Sequence, residues 1–128
     1  PPALDFDAMN EAAAILLTVS DFTSFAKLHS DARTNICRLD SAAWHRIPAG
    51  AGNRAEGDAW YFEIRADRFL RNMVRAVVGT LVDVGRRKIP PAAVLDIVAR
   101  HDRCAAGTSM PAAPLFLWDI AYPATLRL

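Results

Sequence analysis

The sequence lacks the features by which several common protein classes are recognised. It has only two cysteines, Cys37 and Cys104, which form no CxxC pattern, and its three histidines show no metal-ligand spacing. It contains no P-loop, GxSxG motif, GxGxxG fingerprint or N-x-S/T sequence. The early apolar run at 12–19 is too short to span a bilayer and lacks the flanks of a signal peptide. We therefore expect a soluble, cytoplasmic protein without a zinc site. Two free thiols fit that setting, and a single disulfide is the alternative.

Net charge is also scarce, at +1 over 128 residues, so the whole molecule says little about nucleic acid. Its distribution says more, because residues 65–88 contain seven basic side chains and two acidic ones. A local excess of this kind is typical of a surface that faces anions. The composition, 52% hydrophobic and 23% charged, predicts one globular domain over residues 1–128. The sequence begins PPALDF without a methionine, and we expect a piece of a longer chain.

Hydrophobic periodicity predicts the order α-β-β-α-α-β. The predicted elements are a helix capped by Asp5 or Asp7 and ending near Ser20, a strand over 35–47, a loop over 48–58, a strand over 59–67, a helix over 68–85, a shorter helix from Pro90 to about Arg100, a loop over 101–114 and a strand over 115–122. An α+β domain follows, with an antiparallel three-stranded sheet and helices packed on one face.

Two further groups of residues are assigned to structure rather than chemistry. The three tryptophans all fall on predicted strands, where core packing is favoured over base stacking: Trp44, Trp60 and Trp118. Asp102 and Arg103 lie in the late loop, and an ion pair that shapes this loop is favoured over a catalytic role.

The helix predicted over 68–85 raises a question, because its mostly apolar first part, RFLRNMVRAVVG, contains three arginines. At about 100° per residue these arginines share one stripe with Gly79: Arg68, Arg71 and Arg75. One interpretation is a solvated helix face covered by arginine stems. The other is an anion-facing stripe, since it carries no lysine or glutamate. A mid-helix glycine, which costs about 1 kcal/mol relative to alanine, also suggests close approach of another segment. The planar fork of arginine suits a carboxylate or a phosphate.

Three blocks of the sequence resemble successive blocks of the bacterial tRNA pseudouridine synthase A (TruA) family. They are DFTSFAKLHSDARTNICRLDSAAW, ADRFLRNMVRAVVGTLVDVGRRK and DRCAAGTSMPAAPLFLWDIAYP, and the resemblance covers about residues 5–123. It implies a homodimeric isomerase that acts without cofactor or metal. Its substrates would be uridines on the 3′ side of the anticodon arm of tRNA, which become pseudouridine. It also implies a fold of two related α+β halves with the active cleft between them.

The resemblance is to the C-terminal part of the family's catalytic region. The family's nucleophilic aspartate lies in a GRTDAGVHA-like motif, and its uracil-packing tyrosine lies in an RxYxY-type strand. Neither motif occurs in this sequence. The resemblance therefore implies that the aspartate belongs to an N-terminal half and that this piece alone is inactive.

The resemblance also implies roles for four residues. Arg75 matches the cleft arginine of the MVR element and would pair with the aspartate carboxylate. Arg68 and Arg71 would meet RNA phosphates, and Leu115 would line the substrate pocket. Near this leucine the sequence departs from the family, since MPAAPL, with Pro114, stands where APAxGL is expected. The alternative hypothesis is a non-catalytic module for RNA binding or dimerisation.

Overall fold

A computed structural model describes residues 4–26, 35–47, 59–70, 72–107, 115–117 and 124–126. Within these ranges the chain forms helices α1 (Phe6–Leu16), α2 (Met73–Gly85) and α3 (Ala93–Arg100), strands β1 (Leu39–Ile47), β2 (Ala59–Ala66), β3 (Leu115–Leu117) and β4 (Ala124–Leu126), and two 3-10 turns (Thr23–Phe25 and Arg103–Ala105). The α+β class is confirmed. The loop predicted over 48–58 lies outside the described residues. None of the described helices is both long and apolar enough to cross a membrane.

The first helix forms where its capping residue and apolar spacing predict it. The Asp5 carboxylate accepts a hydrogen bond from the Ala8 N–H at 3.1 Å, which satisfies one of the free amides of the first turn. Four residues at helical spacing are buried: Met9, Ala12, Ala13 and Leu16. The helix ends at Leu16, earlier than predicted. It meets α2 closely at Gly85, where a Cβ atom would overlap the Met9 side chain.

The second helix begins five residues later than predicted, at Met73 instead of Arg68. Asn72 has a φ of 67°, in the left-handed region, and an α-helix cannot continue through that conformation. The prediction that Arg68 and Arg75 lie on one helical stripe is therefore wrong. The C-terminal end at Gly85 is as predicted. After the Pro90-Pro91 turn, α3 starts at Ala93 and buries Val94 and Ile97.

The sheet has four described strands in the order β1-β2-β4-β3, so the prediction of three strands is wrong. β1 and β2 form the predicted antiparallel pair, with Trp44 opposite Phe62 and His45 opposite Tyr61. Of the strand predicted over 115–122, residues 115–117 form β3, which pairs with β4 in antiparallel register, and residues 118–122 lie outside the described residues. The alternation predicted for β2 is confirmed: Phe62 and Ile64 are buried, whereas the neighbouring Glu63 is half-buried.

Aromatic packing and one side-chain amide hold α1 against β1. Trp44 is buried, and the half-buried Trp60 stacks on Phe6 with ring centroids 3.9 Å apart. Both tryptophans therefore serve the core, as predicted, while Trp118 lies outside the described residues. Among the described strands, β1 lies at one end of the sheet. Asn10 of α1 binds the main chain of this strand twice: its Oδ1 accepts from the Trp44 N–H at 2.6 Å, and its Nδ2 donates to the Trp44 carbonyl at 3.2 Å.

Candidate functional site

Helix α2, which carries Arg75, is surrounded by protein. Of its 13 residues, 11 are buried, and the other two, Arg75 and Asp83, are half-buried. A helix that is buried on nearly all sides has no solvated face. This geometry disfavours the interpretation of Arg75 and Gly79 as part of an ordinary wet stripe. A guanidinium in such a position is stabilised by an anionic partner, since desolvation of an isolated cation costs several kcal/mol.

The N-terminal end of α2 adds to the positive potential around Arg75. No side-chain hydrogen bond from Asn72 caps the helix, and its first turn contains no acidic residue. Arg75 is the third helical residue, where the helix dipole disfavours a cation by about 0.3–1 kcal/mol. A cation and a helix N-terminus without a capping bond from its own N-cap side chain both favour an anion. This end of α2 is therefore suited to hold a carboxylate or phosphate.

The close approach predicted at Gly79 is confirmed, and the segment that approaches is Gly107. A Cβ atom placed on Gly107 would lie 3.1 Å from both the carbonyl carbon and the carbonyl oxygen of Gly79, and 2.6 Å from Asp83 Oδ2. Such distances are shorter than side chains accept, so the backbone at Gly107 lies directly on α2. The contact is one turn beyond Arg75 on the same stripe.

A buried hydroxyl fastens this contact. Thr80 is fully buried, and its Oγ1 donates to the Ala76 carbonyl at 3.0 Å and accepts from the Gly107 N–H at 2.9 Å. The carbonyl of Gly107 is also bound, because Arg103 Nη1 donates to it at 3.0 Å. Asp102 Oδ1 accepts from the Cys104 N–H at 2.9 Å and caps the second 3-10 turn. Asp102 and Arg103 thus shape the loop through hydrogen bonds to the backbone, and the ion pair predicted between them stays a prediction.

A second buried hydroxyl ties the same loop to α3. Ser24 is fully buried, donates to the Ile97 carbonyl at 2.6 Å and accepts from the Asp102 N–H at 3.0 Å. Beside it, the Thr23 hydroxyl donates to Asp21, and this bond, helped by the Thr23 N–H and the nearby His101, lowers the pKa of that carboxyl. The sequence analysis missed both Ser24 and Thr80. Their only signal is a hydroxyl within an apolar stretch, which does not reveal a distant partner.

Arg68 lies before α2 and serves a different segment. It is half-buried, and its Nη1 donates to the Ile36 carbonyl at 3.2 Å. It also lies near Cys37, where burial raises the pKa of the thiol and the charge of Arg68 partly opposes that rise. Both cysteines are free, as predicted. Cys37 is buried and Cys104 is exposed.

The other two predicted site residues are described only in part or not at all. Leu115 begins β3 and pairs with Leu126 of β4. Arg71 lies outside the described residues. The structure therefore brings Gly79, Thr80 and Gly107 together one turn beyond Arg75 on α2, while Arg68 lies before the helix and binds the Ile36 carbonyl.

Comparison with known proteins gives consistent matches along the chain. A family model described as tRNA pseudouridine synthase matches residues 12–123. tRNA pseudouridine synthase A of Parabacteroides distasonis is 51% identical over 126 residues, which are 98% of this chain and 46% of that protein. The protein of the same name from Bacteroides thetaiotaomicron is 50% identical over 94% of this chain and 43% of its own length. That of Bacillus pumilus is 34% identical over 95% of this chain and 46% of its own length. The chain thus spans a little under half the length of these curated relatives.

Proposed function

The chain belongs to the tRNA pseudouridine synthase family, and from this premise we propose that it is the C-terminal part of the catalytic region of an enzyme that isomerises uridine to pseudouridine in tRNA. The observation that carries the proposal is the family match over residues 12–123, which includes the whole of α2. The half-buried Arg75 in the first turn of that helix supports it. In this proposal residues 1–128 form a single α+β domain, with helices packed on one face of the sheet, as one half of a larger fold.

Arg75 would act on the nucleophile instead of the substrate. Isomerisation replaces the bond between ribose C1′ and uracil N1 by a bond to C5, so a nucleophile is needed at the glycosidic linkage. We assign that nucleophile to an aspartate outside this sequence. The guanidinium of Arg75 would keep its carboxylate ionised, because a nearby opposite charge favours the charged form. The fixed fork would also orient it. The burial of α2 supports this role, since a buried helix holds the backbone of Arg75 in a fixed place.

The family resemblance supports further details of the proposal. The substrates are uridines on the 3′ side of the anticodon arm, and each target base is flipped out of its stack to reach the carboxylate. Arg71 contacts an RNA phosphate. Arg68 contacts another through the N–H groups of its guanidinium that do not bind the Ile36 carbonyl. Leu115, at the start of β3, lines the uracil pocket. The enzyme is a cytoplasmic homodimer and needs no cofactor.

Pseudouridine formation on unmodified tRNA tests the proposal. Because C5 of uracil becomes the glycosidic carbon, each turnover releases the hydrogen from C5, and tritium at that position reports the reaction. The full-length protein is expected to release tritium, and the 128-residue chain alone is expected to release none. Activity of the 128-residue chain would show that its nucleophile is present after all. Salt-sensitive tRNA binding by the full-length protein without any release would favour the binding-module alternative.

A further inference from the structure

The contact between Thr80 and Gly107 joins the candidate site to a loop that approaches from a distant part of the sequence. A threonine hydroxyl within a helix commonly bonds the carbonyl four residues earlier, and the bond from Thr80 to Ala76 is of that kind. The second bond is different. The Thr80 oxygen also accepts the Gly107 N–H, and this places loop backbone on α2 one turn from Arg75.

We propose that Thr80 is a positioning residue for Arg75: its hydroxyl fixes the loop at Gly107 against α2, and thereby sets the space into which the Arg75 guanidinium and its anion must fit. This inference rests on the proposed function. Thr80 itself touches neither substrate nor nucleophile in this scheme, so its effect passes through Gly107 and the first turns of α2.

In this proposal the distance between the loop backbone at Gly107 and helix α2 depends on Thr80. Arg103 binds the Gly107 carbonyl within the loop, and Ser24 accepts the Asp102 N–H, which ties the start of the loop to the first 3-10 turn. On the side facing α2, the Gly107 N–H donates to the Thr80 oxygen, and this is the described hydrogen bond between the loop and the helix. Without that acceptor a half-buried N–H would have to find water, and the loop would have to rise from the helix to reach it.

Thr80→Val tests this dependence, because valine keeps the shape of threonine and removes the hydroxyl. Thr80→Ser restores the hydroxyl without the methyl group. Val84→Ala is the matched control, since Val84 is buried on the same helix and its truncation weakens packing without removing a hydrogen bond. In the full-length protein we would measure hydrogen exchange at the Gly107 amide, together with kcat and KM for tritium release from tRNA.

The expected result is faster exchange at Gly107 and a kcat about ten- to a hundredfold lower in Thr80→Val, because catalysis falls steeply when a site is displaced by about 1 Å. KM should stay within about twofold, since tRNA binding energy from distant contacts is unaffected. Thr80→Ser should recover most of kcat, and Val84→Ala should keep both kcat and Gly107 protection.

An unchanged kcat in Thr80→Val would overturn the inference, and so would failure of Thr80→Ser to recover activity or an equal loss in Val84→Ala. If Thr80→Val does not fold, Arg103→Gln at the half-buried loop position serves instead. It is expected to lower kcat with KM unchanged, and a normal kcat there would overturn the inference. Failure of the wild-type protein to release tritium would refute the proposed function itself, which keeps the two results distinguishable.

Discussion

Replacement of Arg75 in the full-length enzyme should lower turnover strongly and leave tRNA affinity nearly unchanged. Two unit charges about 4 Å apart attract by about 4 kcal/mol at the effective dielectric constant of a partly buried site, before desolvation is subtracted. Because Arg75 is half-buried, we expect Arg75→Ala to lose about 2–3 kcal/mol of transition-state stabilisation. This loss corresponds to a kcat about 30- to 150-fold lower. Arg75→Lys keeps the charge but loses the planar fork, and its kcat should fall between those of wild type and alanine.

Single-turnover tritium release gives the chemical step, and filter binding gives the tRNA affinity. Arg100→Ala is the control, because this exposed arginine ends α3 and its removal changes the net charge by the same amount. Circular dichroism of each variant checks that the fold is intact. The reasoning is refuted if Arg75→Ala retains a third or more of the wild-type rate, or if it loses tRNA affinity while the chemical step is unchanged. An equal loss in Arg100→Ala would also refute it, since the effect would then be one of general charge.

Three further predictions concern stability and reactivity. Asn10→Ala should raise the exchange rate of the β1 main-chain N–H that the amide oxygen binds, and it should lower the free energy of unfolding by about 1–3 kcal/mol, because two hydrogen bonds are lost; unchanged exchange would contradict this. Peptide mapping after thiol labelling should find Cys104 modified before Cys37, since burial hides the Cys37 sulfur and raises the pKa of its thiol; equal rates would contradict it. Thr23→Val should destabilise the protein more at pH 7 than at pH 3, because the lowered pKa of Asp21 stabilises the fold above the ordinary carboxyl value and this contribution disappears as pH falls through the lowered one; urea unfolding at both pH values measures the difference.

Where local chemistry decides an element, the sequence predicted it. Asp5 before an apolar helical pattern predicts α1, and strict alternation predicts β2. The predicted start of α2 was wrong because the apolar residues before Met73 also fit helical spacing. What interrupts the helix is the left-handed conformation of Asn72, which asparagine tolerates but does not require. β4, which was not predicted, has three residues and is too short to show a period of its own.

The candidate site divides in the same way. The arginine pattern and the mid-helix glycine predict that a polar group and a close contact occur on α2, and Arg75 and Gly79 lie where that reasoning puts them. The identity of the contacting segment could not be predicted, because Gly107 is 27 residues from Thr80 in the sequence and meets it only in the folded chain. Arg68 shows the converse limit. Its spacing from Arg75 is helical, yet the left-handed Asn72 lies between them.

The two hydrogen bonds between Asn10 and β1 have a consequence for how the sheet can grow. A side-chain amide offers the same donor and acceptor as a peptide group, so Asn10 occupies the place that one residue of a neighbouring strand would take. A strand from another molecule that joined the sheet at this edge would first have to displace α1 from it. Among the described strands, Asn10 thereby covers the main chain of Trp44 at the β1 edge against pairing with a further strand.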